Sequence, residues 1–318
     1  MGDLPACRVL QSEPFGQCGV DYGGPVRITM ARRRNPLILK AYICLFVCMS
    51  TKAVHIELVS DLSTPMFLSA FRRFLSRRGP CRVIYSDNGT NFVGAHAQLV
   101  QLAKLLDSSE FQNTITNELA DYRVDWKFIP AASPNFGGIW EANIKSVKSH
   151  FIKVIGDQLL TYEEMNTALV QVEAVLNSWP LCPLSEDPNE PLALTPAHFL
   201  KLTPLTAFPM KDVTDIPVNR LTRYELIDQL VQSFWNRWRK EYLHELQVRG
   251  KWSKSSPPLT VGTVVIVDQP NLPPLKWPLG IIEEVFPGAD GVICVAVVRL
   301  ATGRFKRPAT KLFPLPTQ

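Results

Sequence analysis

The sequence has no Cys-x-x-Cys pair, few histidines, no long apolar run and no large excess of one charge, and each shortage closes off a class of protein. Its 7 cysteines and 5 histidines are scattered, so their spacing supports neither a zinc finger nor a disulfide framework, and a reducing interior is expected. The longest apolar run, Ala41 to Met49, is too short to span a bilayer and is flanked by Lys40 and Lys52. No cationic start followed by a signal-peptide core is present. The formal charge is only +5, but it is unevenly spread. Residues 218–318 hold 14 Lys/Arg against 8 Asp/Glu, which leaves 20 against 21 for the rest of the chain. A basic surplus confined to the last third points to a polyanionic partner there.

What is present fits a soluble globular chain of about two domains: 318 residues, 46% hydrophobic and 20% charged. The stretch Ser86-Asp87-Asn88-Gly89-Thr90-Asn91-Phe92 is its centre. Arg82 to Tyr85 reads as a short buried strand, and Asn88-Gly89 then turns the chain, leaving Asp87 at the strand tip. Ligands of α/β sheets gather at such carboxyl edges, although Asp also simply starts turns. Upstream, Gly16 to Tyr22 reads as a strand carrying Asp21 among apolar neighbours. A buried Asp is costly unless it is hydrogen-bonded, paired or metal-bound. Val26 to Met30 continues this sheet, Leu37 to Met49 is a long apolar strand, and Lys52 to Val59 alternates as a half-buried strand does. Short turns between the three imply an antiparallel meander.

A helix follows, capped by Thr64, with Pro65 in its first turn and Gly79-Pro80 as its stop. Phe67, Leu68, Phe71, Phe74 and Leu75 form its apolar stripe, and Arg72, Arg73, Arg77 and Arg78 are expected on a solvated face. After the Asp87 strand come a helix near Ala95 to Leu106, a helical segment at Phe111 to Tyr122 and a strand at Val124 to Ile129. The order β-β-β-α-β-α-β-α describes a mixed five-stranded sheet with helices on its faces. Pro130 to Gly138 is a Pro/Gly-rich loop leading into a helix over Ile139 to Ile155. There Glu141, Lys145 and Lys148 stand at i, i+4 and i+7 and share one face, while Ile144, Phe151, Ile152 and Ile155 face the sheet. A solvated ion pair accounts for Glu141 and Lys145; a metal ligand followed by phosphate contacts accounts for all three.

Thr161 to Ser178 is a helix opened by a Thr161/Glu164 capping box, Pro180 to Pro217 is an irregular Pro-rich connection, and Asn219 to Arg249 is a long helix with an aromatic band, Phe234, Trp235, Trp238 and Tyr242. Beyond a linker at Lys251 to Thr260, four short strands (Val261–Val267, Leu279–Val285, Val292–Leu300 and Arg304–Lys306) suggest a small SH3-like barrel. Its last hairpin gathers Arg299, Arg304, Lys306, Arg307 and Lys311.

Several motifs in order carry a resemblance: Gly19-Val20-Asp21-Tyr22-Gly23-Gly24-Pro25, Lys40 to Phe46, Tyr85 to Phe92, Phe136-Gly137-Gly138-Ile139-Trp140-Glu141-Ala142, Leu176-Asn177-Ser178-Trp179-Pro180-Leu181, Leu194 to Leu200 and Trp277-Pro278-Leu279-Gly280. Together they resemble the integrase of BEL/Pao-type long-terminal-repeat retrotransposons, a member of the retroviral-type integrase superfamily. The resemblance implies a ribonuclease-H-like core over residues 1–160, a helical extension and connector over 161–250, and a C-terminal SH3-like barrel over 251–318. It also implies that Asp21, Asp87 and Glu141 are the catalytic acidic triad, with the last two 54 positions apart. Clustered carboxylates need a cation, and oxygen ligands without His or Cys favour Mg²⁺ or Mn²⁺, two ions suiting in-line attack on phosphorus. The implied activity is polynucleotidyl transfer, that is DNA 3′-end trimming followed by strand transfer. DNA contacts are expected at Asn135, Lys145, Lys148, Arg304, Lys306, Arg307 and Lys311, and a homo-oligomer as the working form. The implied setting is the nucleus during integration and a cytoplasmic particle before it. Family members carry an amino-terminal zinc module and this chain begins after it, so no zinc is expected in it. A fragment or a truncated, decayed copy that only binds nucleic acid is the alternative, and a hydrolytic nuclease a second. Where the family has Arg, this chain has Trp179, and a surface polar contact is expected to be lost there.

Overall fold

The computed structural model describes residues 12–87, 92–97, 99–100, 124–128, 138–184, 192–206, 209–246, 259–289 and 291–316, and within 138–146 the backbone alone. The chain divides into two units, residues 1–173 and 174–318.

In the first unit β1 (Gln17–Thr29), β2 (Ile38–Cys48) and β3 (Val54–Val59) form the antiparallel meander that their short turns imply. The β1–β2 register shifts between Gly23 and Val26, so the strand kinks just beyond Asp21. Helix α1 (Thr64–Arg78) then crosses over to β4 (Val83–Ser86), which lies parallel to β1, and β5 (Asp125–Phe128) lies parallel to β4. The strand order is β3-β2-β1-β4-β5. An antiparallel meander extended by two parallel strands on the β1 side is the ribonuclease-H-like arrangement. Helix α2 (Gly138–Ile155) follows, and the two-residue strand β6 (Leu160–Thr161) returns to the far end of β1. Helix α3 (Tyr162–Asn177) opens with the expected box: Thr161 N–H donates to Glu164 Oε2 at 2.9 Å and Glu164 N–H to Thr161 Oγ1 at 3.3 Å.

The core of this unit is aromatic. Phe46 stacks on Phe74 at 4.3 Å, and Phe15, Phe67 and Phe71 close around them. Burying each such ring contributes roughly 1.5–3 kcal/mol. Helix α1 buries Phe67, Ala70, Phe71 and Phe74, and its cap is Ser63, one residue before the expected Thr64. Gly79 ends it at φ 88°, a left-handed value for which glycine is suited, and donates its N–H to Leu75 O at 2.9 Å.

Two sequence expectations fail together at β3. The strand is buried on both faces, His55 and Glu57 included, so the alternation of Lys52 to Val59 does not mark a half-exposed strand. The reason lies in the arginines of α1, which are not all left to water. Arg73 Nε meets Glu57 Oε2 at 2.6 Å and Arg77 Nη1 meets Glu57 Oε1 at 3.0 Å, while Arg78 pairs with Glu173 and donates to His55 Nδ1 at 3.2 Å. Glu173 Oε2 also accepts the N–H of Ile56 at 2.8 Å, and His55 Nε2 lies 3.0 Å from Glu57 Oε1. Burial alone would raise the Glu57 carboxyl, but the hydrogen bonds and charges of His55 and Arg73 outweigh it and hold the group below its usual range. Burial likewise opposes protonation of His55, and the carboxylates of Glu173 and Glu57 outweigh it, raising the imidazole.

In the second unit a two-strand pair, β7 (Cys182–Pro183) with β8 (Ala193–Leu194), precedes helix α4 (Pro196–Lys201). Within the connection expected to be irregular, α4 is opened by a Thr195/His198 capping box. The long helix α5 (Arg223–Leu246) follows. Strands β9 (Val264–Val267), β10 (Leu279–Pro287), β11 (Ile293–Leu300), β12 (Gly303–Pro308) and β13 (Leu312–Pro314) make an all-antiparallel sheet ordered β12-β11-β10-β9-β13. Four of these strands are the expected ones. The sequence did not announce β13, which Pro314 disguises, and it pairs with β9 to extend the barrel sheet. Gly280 is required there because a Cβ would stand 2.5 Å from Val298 Cγ1 and 3.0 Å from Arg299 O. The aromatic band of α5 docks within its own unit: Trp277 stands edge-on to Trp235 at 4.8 Å and to Tyr242 at 5.5 Å, and Tyr242 donates its hydroxyl to Pro180 O at 2.5 Å. Trp179 joins it, edge-on to Tyr242 at 5.1 Å. The tryptophan there is a packing residue, and not the surface substitution the sequence suggested.

Candidate active site

The register of β1 on β4 sets the site. Cys18 pairs with Ile84 and Gly19 with Tyr85, so two residues further along both strands Asp21 comes level with Asp87. Parallel neighbours are about 4.8 Å apart, and residues at one level point to the same face. Asp87 is exposed, one residue beyond the end of β4. Asp21 is half-buried: its Oδ1 accepts the Tyr22 N–H at 2.6 Å and its Oδ2 accepts Lys148 Nζ at 2.8 Å.

Helix α2 supplies the third wall. It turns Val147, Phe151 and Ile155 into the core, whereas Ile152, expected to face the sheet, is 39% exposed. Gly23 lies on the same face of β1 as Asp21, and a Cβ there would stand 2.9 Å from Lys148 Cγ. The missing side chain is what lets Lys148 lie along the strand from Gly23 back to Asp21. Further on, Pro25, Val26 and Arg27 share a cleft with Ile152, Ile155 and Gln158, so α2 runs in the same sense as β1. Glu141 stands seven positions before Lys148 in the first part of α2. That is about 10 Å along the helix axis. The side chains of Glu141 and Lys145 lie outside the described residues, as does the whole of Asn135.

Two sets of residues that sequence reasoning missed hold this edge. Ser86 is fully buried; its hydroxyl accepts the indole N–H of Trp126 at 2.9 Å and donates to the carbonyl of Asp87 at 2.8 Å. Phe92, where the chain becomes helical again, stacks on Tyr22 at 5.4 Å and meets Phe67 and Trp126 at 5.1 and 6.2 Å. A serine beside an aspartate and a tryptophan on an edge strand carry no periodic signal, so only the structure links them. The cations expected on the last hairpin are mostly occupied: Arg304 Nε lies 2.8 Å from Glu283, Lys306 Nζ stands 4.2 Å over the Phe286 ring, Arg307 5.2 Å over Phe305, and Lys311 Nζ 3.1 Å from Asp268.

The donor set at β1 and β4 is all oxygen, with carboxylates at one level on neighbouring strands, and so fits a hard divalent cation. Among the described residues no group of three His, Cys, Asp or Glu side chains is placed so that it could hold a metal ion. No helix among the described residues is long and apolar enough to cross a membrane.

Residues 222–315, the span of α5 and the barrel, match a family model described as a family of unknown function (DUF5641). No curated protein matches the chain. The solved structures it is similar to include retroviral integrases. The HTLV-2 integrase catalytic core domain in complex with magnesium, in a trimeric form, is 16% identical over 59% of this chain and 97% of its own, with a TM-score of 0.35. The same domain in a dimeric form is 17% identical over 52% of this chain and 88% of its own, with a TM-score of 0.31. The simian T-cell lymphotropic virus intasome, in complex with PP2A regulatory subunit B56 gamma, is 14% identical over 98% of this chain and 85% of its own, with a TM-score of 0.34. The fold assignment rests on the strand order itself.

Proposed function

We propose that the chain is an integrase of the BEL/Pao retrotransposon kind, a polynucleotidyl transferase that trims DNA 3′ ends and joins them to target DNA. The observation that carries this is the β1–β4 register, whose continuation brings Asp21 and Asp87 level on neighbouring parallel strands. The ordered motifs around these residues support the same reading. Asp21, Asp87 and Glu141 would hold Mg²⁺ or Mn²⁺, as a pair of ions. Such ions supply activation of an attacking hydroxyl and stabilisation of the leaving oxygen. The chain's own residues then have separable tasks. Asp21 and Asp87 would fix the reacting edge, and Lys148, which balances Asp21, would turn to DNA phosphate once that carboxylate is otherwise engaged. Asn135 and Lys145, both outside the described side chains, are assigned to the incoming strand on the resemblance alone. Residues 1–160 are the catalytic part, 161–250 the connector and 251–318 a DNA-holding barrel using Arg304, Lys306, Arg307 and Lys311, in a homo-oligomer acting in the nucleus. A strand-transfer assay with labelled donor ends tests the proposal. Joining by the wild type and none by Asp87→Asn is the expected result, and joining by Asp87→Asn overturns it.

A further inference from the structure

We infer that Trp126 is the positioning residue of the acidic site, holding both ends of the Asp87 segment. This rests on the metal-site reading above and adds a residue that no carboxylate pattern would suggest. Trp126 lies on β5, paired with Ile84 of β4. Its indole N–H donates to Ser86 Oγ at 2.9 Å, and that hydroxyl donates to the carbonyl of Asp87 at 2.8 Å. Tying down the Asp87 carbonyl fixes the peptide plane that leaves Asp87, and therefore the direction in which its side chain departs. The other end of the segment is Phe92, whose ring packs at 6.2 Å from the Trp126 ring and 5.1 Å from Phe67. One buried residue therefore orders the backbone at Asp87 and again at Phe92, so that a carboxylate which must meet a partner on another strand is held from both sides. Both Ser86 and Phe92 are essentially inaccessible, with 0% and 2% exposure, so water cannot replace the contacts if they are lost. Supporting groups of this sort commonly change metal affinity by 10–100-fold when removed.

The test is Mn²⁺-dependent thermal stabilisation of the full chain. Its readout is the Mn²⁺ concentration giving half the maximal shift, with metal-free melting recorded separately. Trp126→Phe keeps the ring and deletes the N–H donor, and Ser86→Ala deletes the relay hydroxyl. Each is expected to raise the half-saturating Mn²⁺ concentration about tenfold, and the double variant to do little more, because both changes break one relay. Phe71→Leu, a core change on α1 away from the relay, should lower the melting temperature without moving that concentration. It supplies the comparison if the first two variants are themselves less stable. The inference is overturned if Trp126→Phe and Ser86→Ala stay within about twofold of the wild type while Asp87→Asn loses the Mn²⁺ shift. If Asp87→Asn keeps the shift, it is the metal-site reading that fails.

Discussion

Lys148 is the residue whose removal says most about the site. It stands 2.8 Å from Asp21 Oδ2, with side-chain exposures of 32% and 28% for the two partners. An ion pair so open to water contributes at most about 1 kcal/mol. Lys148 also sits where two carboxylates are level on strands about 4.8 Å apart, and such a pair at 4 Å repels by about 4 kcal/mol at an effective dielectric of 20, less where water reaches it. Lys148→Gln should therefore lower metal-free stability by about 1–2 kcal/mol, roughly 3–6 °C for a unit of this size. Metal binding should move the other way. In the wild type an entering ion must first displace the lysine, so removing that cost of about 1 kcal/mol tightens Mn²⁺ binding about fivefold. Thermal melting across a Mn²⁺ series reads both effects in one experiment. DNA binding in the presence of Mn²⁺, measured in parallel, should weaken if the amine released from Asp21 serves phosphate. A Lys148→Gln protein with unchanged melting and an unchanged Mn²⁺ midpoint would refute the reasoning, since it would mean that the lysine does not counterbalance Asp21 in solution.

Glu57→Gln should cost about 2–3 kcal/mol, below the usual 3–5 for a broken buried pair because Arg73 and Arg77 can turn to water; denaturant unfolding measures it. The same network predicts a pH window. The lowered Glu57 carboxyl contributes stability that is full above its unfolded value of 4.5 and lost as the pH falls through the folded one. The raised His55 contributes stability that is full below 6.5 and lost as the pH rises through its folded value, so the network is strongest between these limits and Glu57→Gln should flatten the profile. At the barrel, Glu283 neutralises Arg299 and Arg304 at 3.2 and 2.8 Å, so Glu283→Gln should steepen the salt dependence of DNA binding by up to about 0.9 per phosphate gained, whereas changing Arg304, Lys306 and Arg307 together to Ala should flatten it. Asp125→Asn, on an exposed side chain 3.9 Å from Lys127, should leave end joining intact, which a side-by-side assay with Asp87→Asn checks.

The parts legible in the sequence were those with a period or a punctuation mark. The meander, α1 with its Pro65 and Gly79, the Thr161/Glu164 box and four barrel strands all announce themselves through alternation, helical stripes and turn residues. Asp21 and Asp87 were legible as strand-borne carboxylates, but their common level was not, since it depends on a β1–β4 register set between segments more than sixty residues apart. What stayed hidden is charge and polarity satisfied across long separations. The arginines of α1 look solvated until Glu57 and Glu173 are seen beneath them, and β3 looks half-exposed for the same reason. The Ser86–Trp126 hydrogen bond spans 40 positions and the Lys148–Asp21 contact 127, beyond any local pattern. Gly23 is the instructive intermediate. Its sequence context suggests only a turn, yet its missing Cβ is what admits the Lys148 chain beside Asp21. Substituting Gly23 with Ala should thus push Lys148 off the strand and mimic part of the Lys148→Gln phenotype: lower metal-free stability, with Mn²⁺ binding no weaker. If Gly23→Ala instead weakens Mn²⁺ binding while Lys148→Gln strengthens it, the glycine serves the path of β1 itself and not the lysine that lies across it.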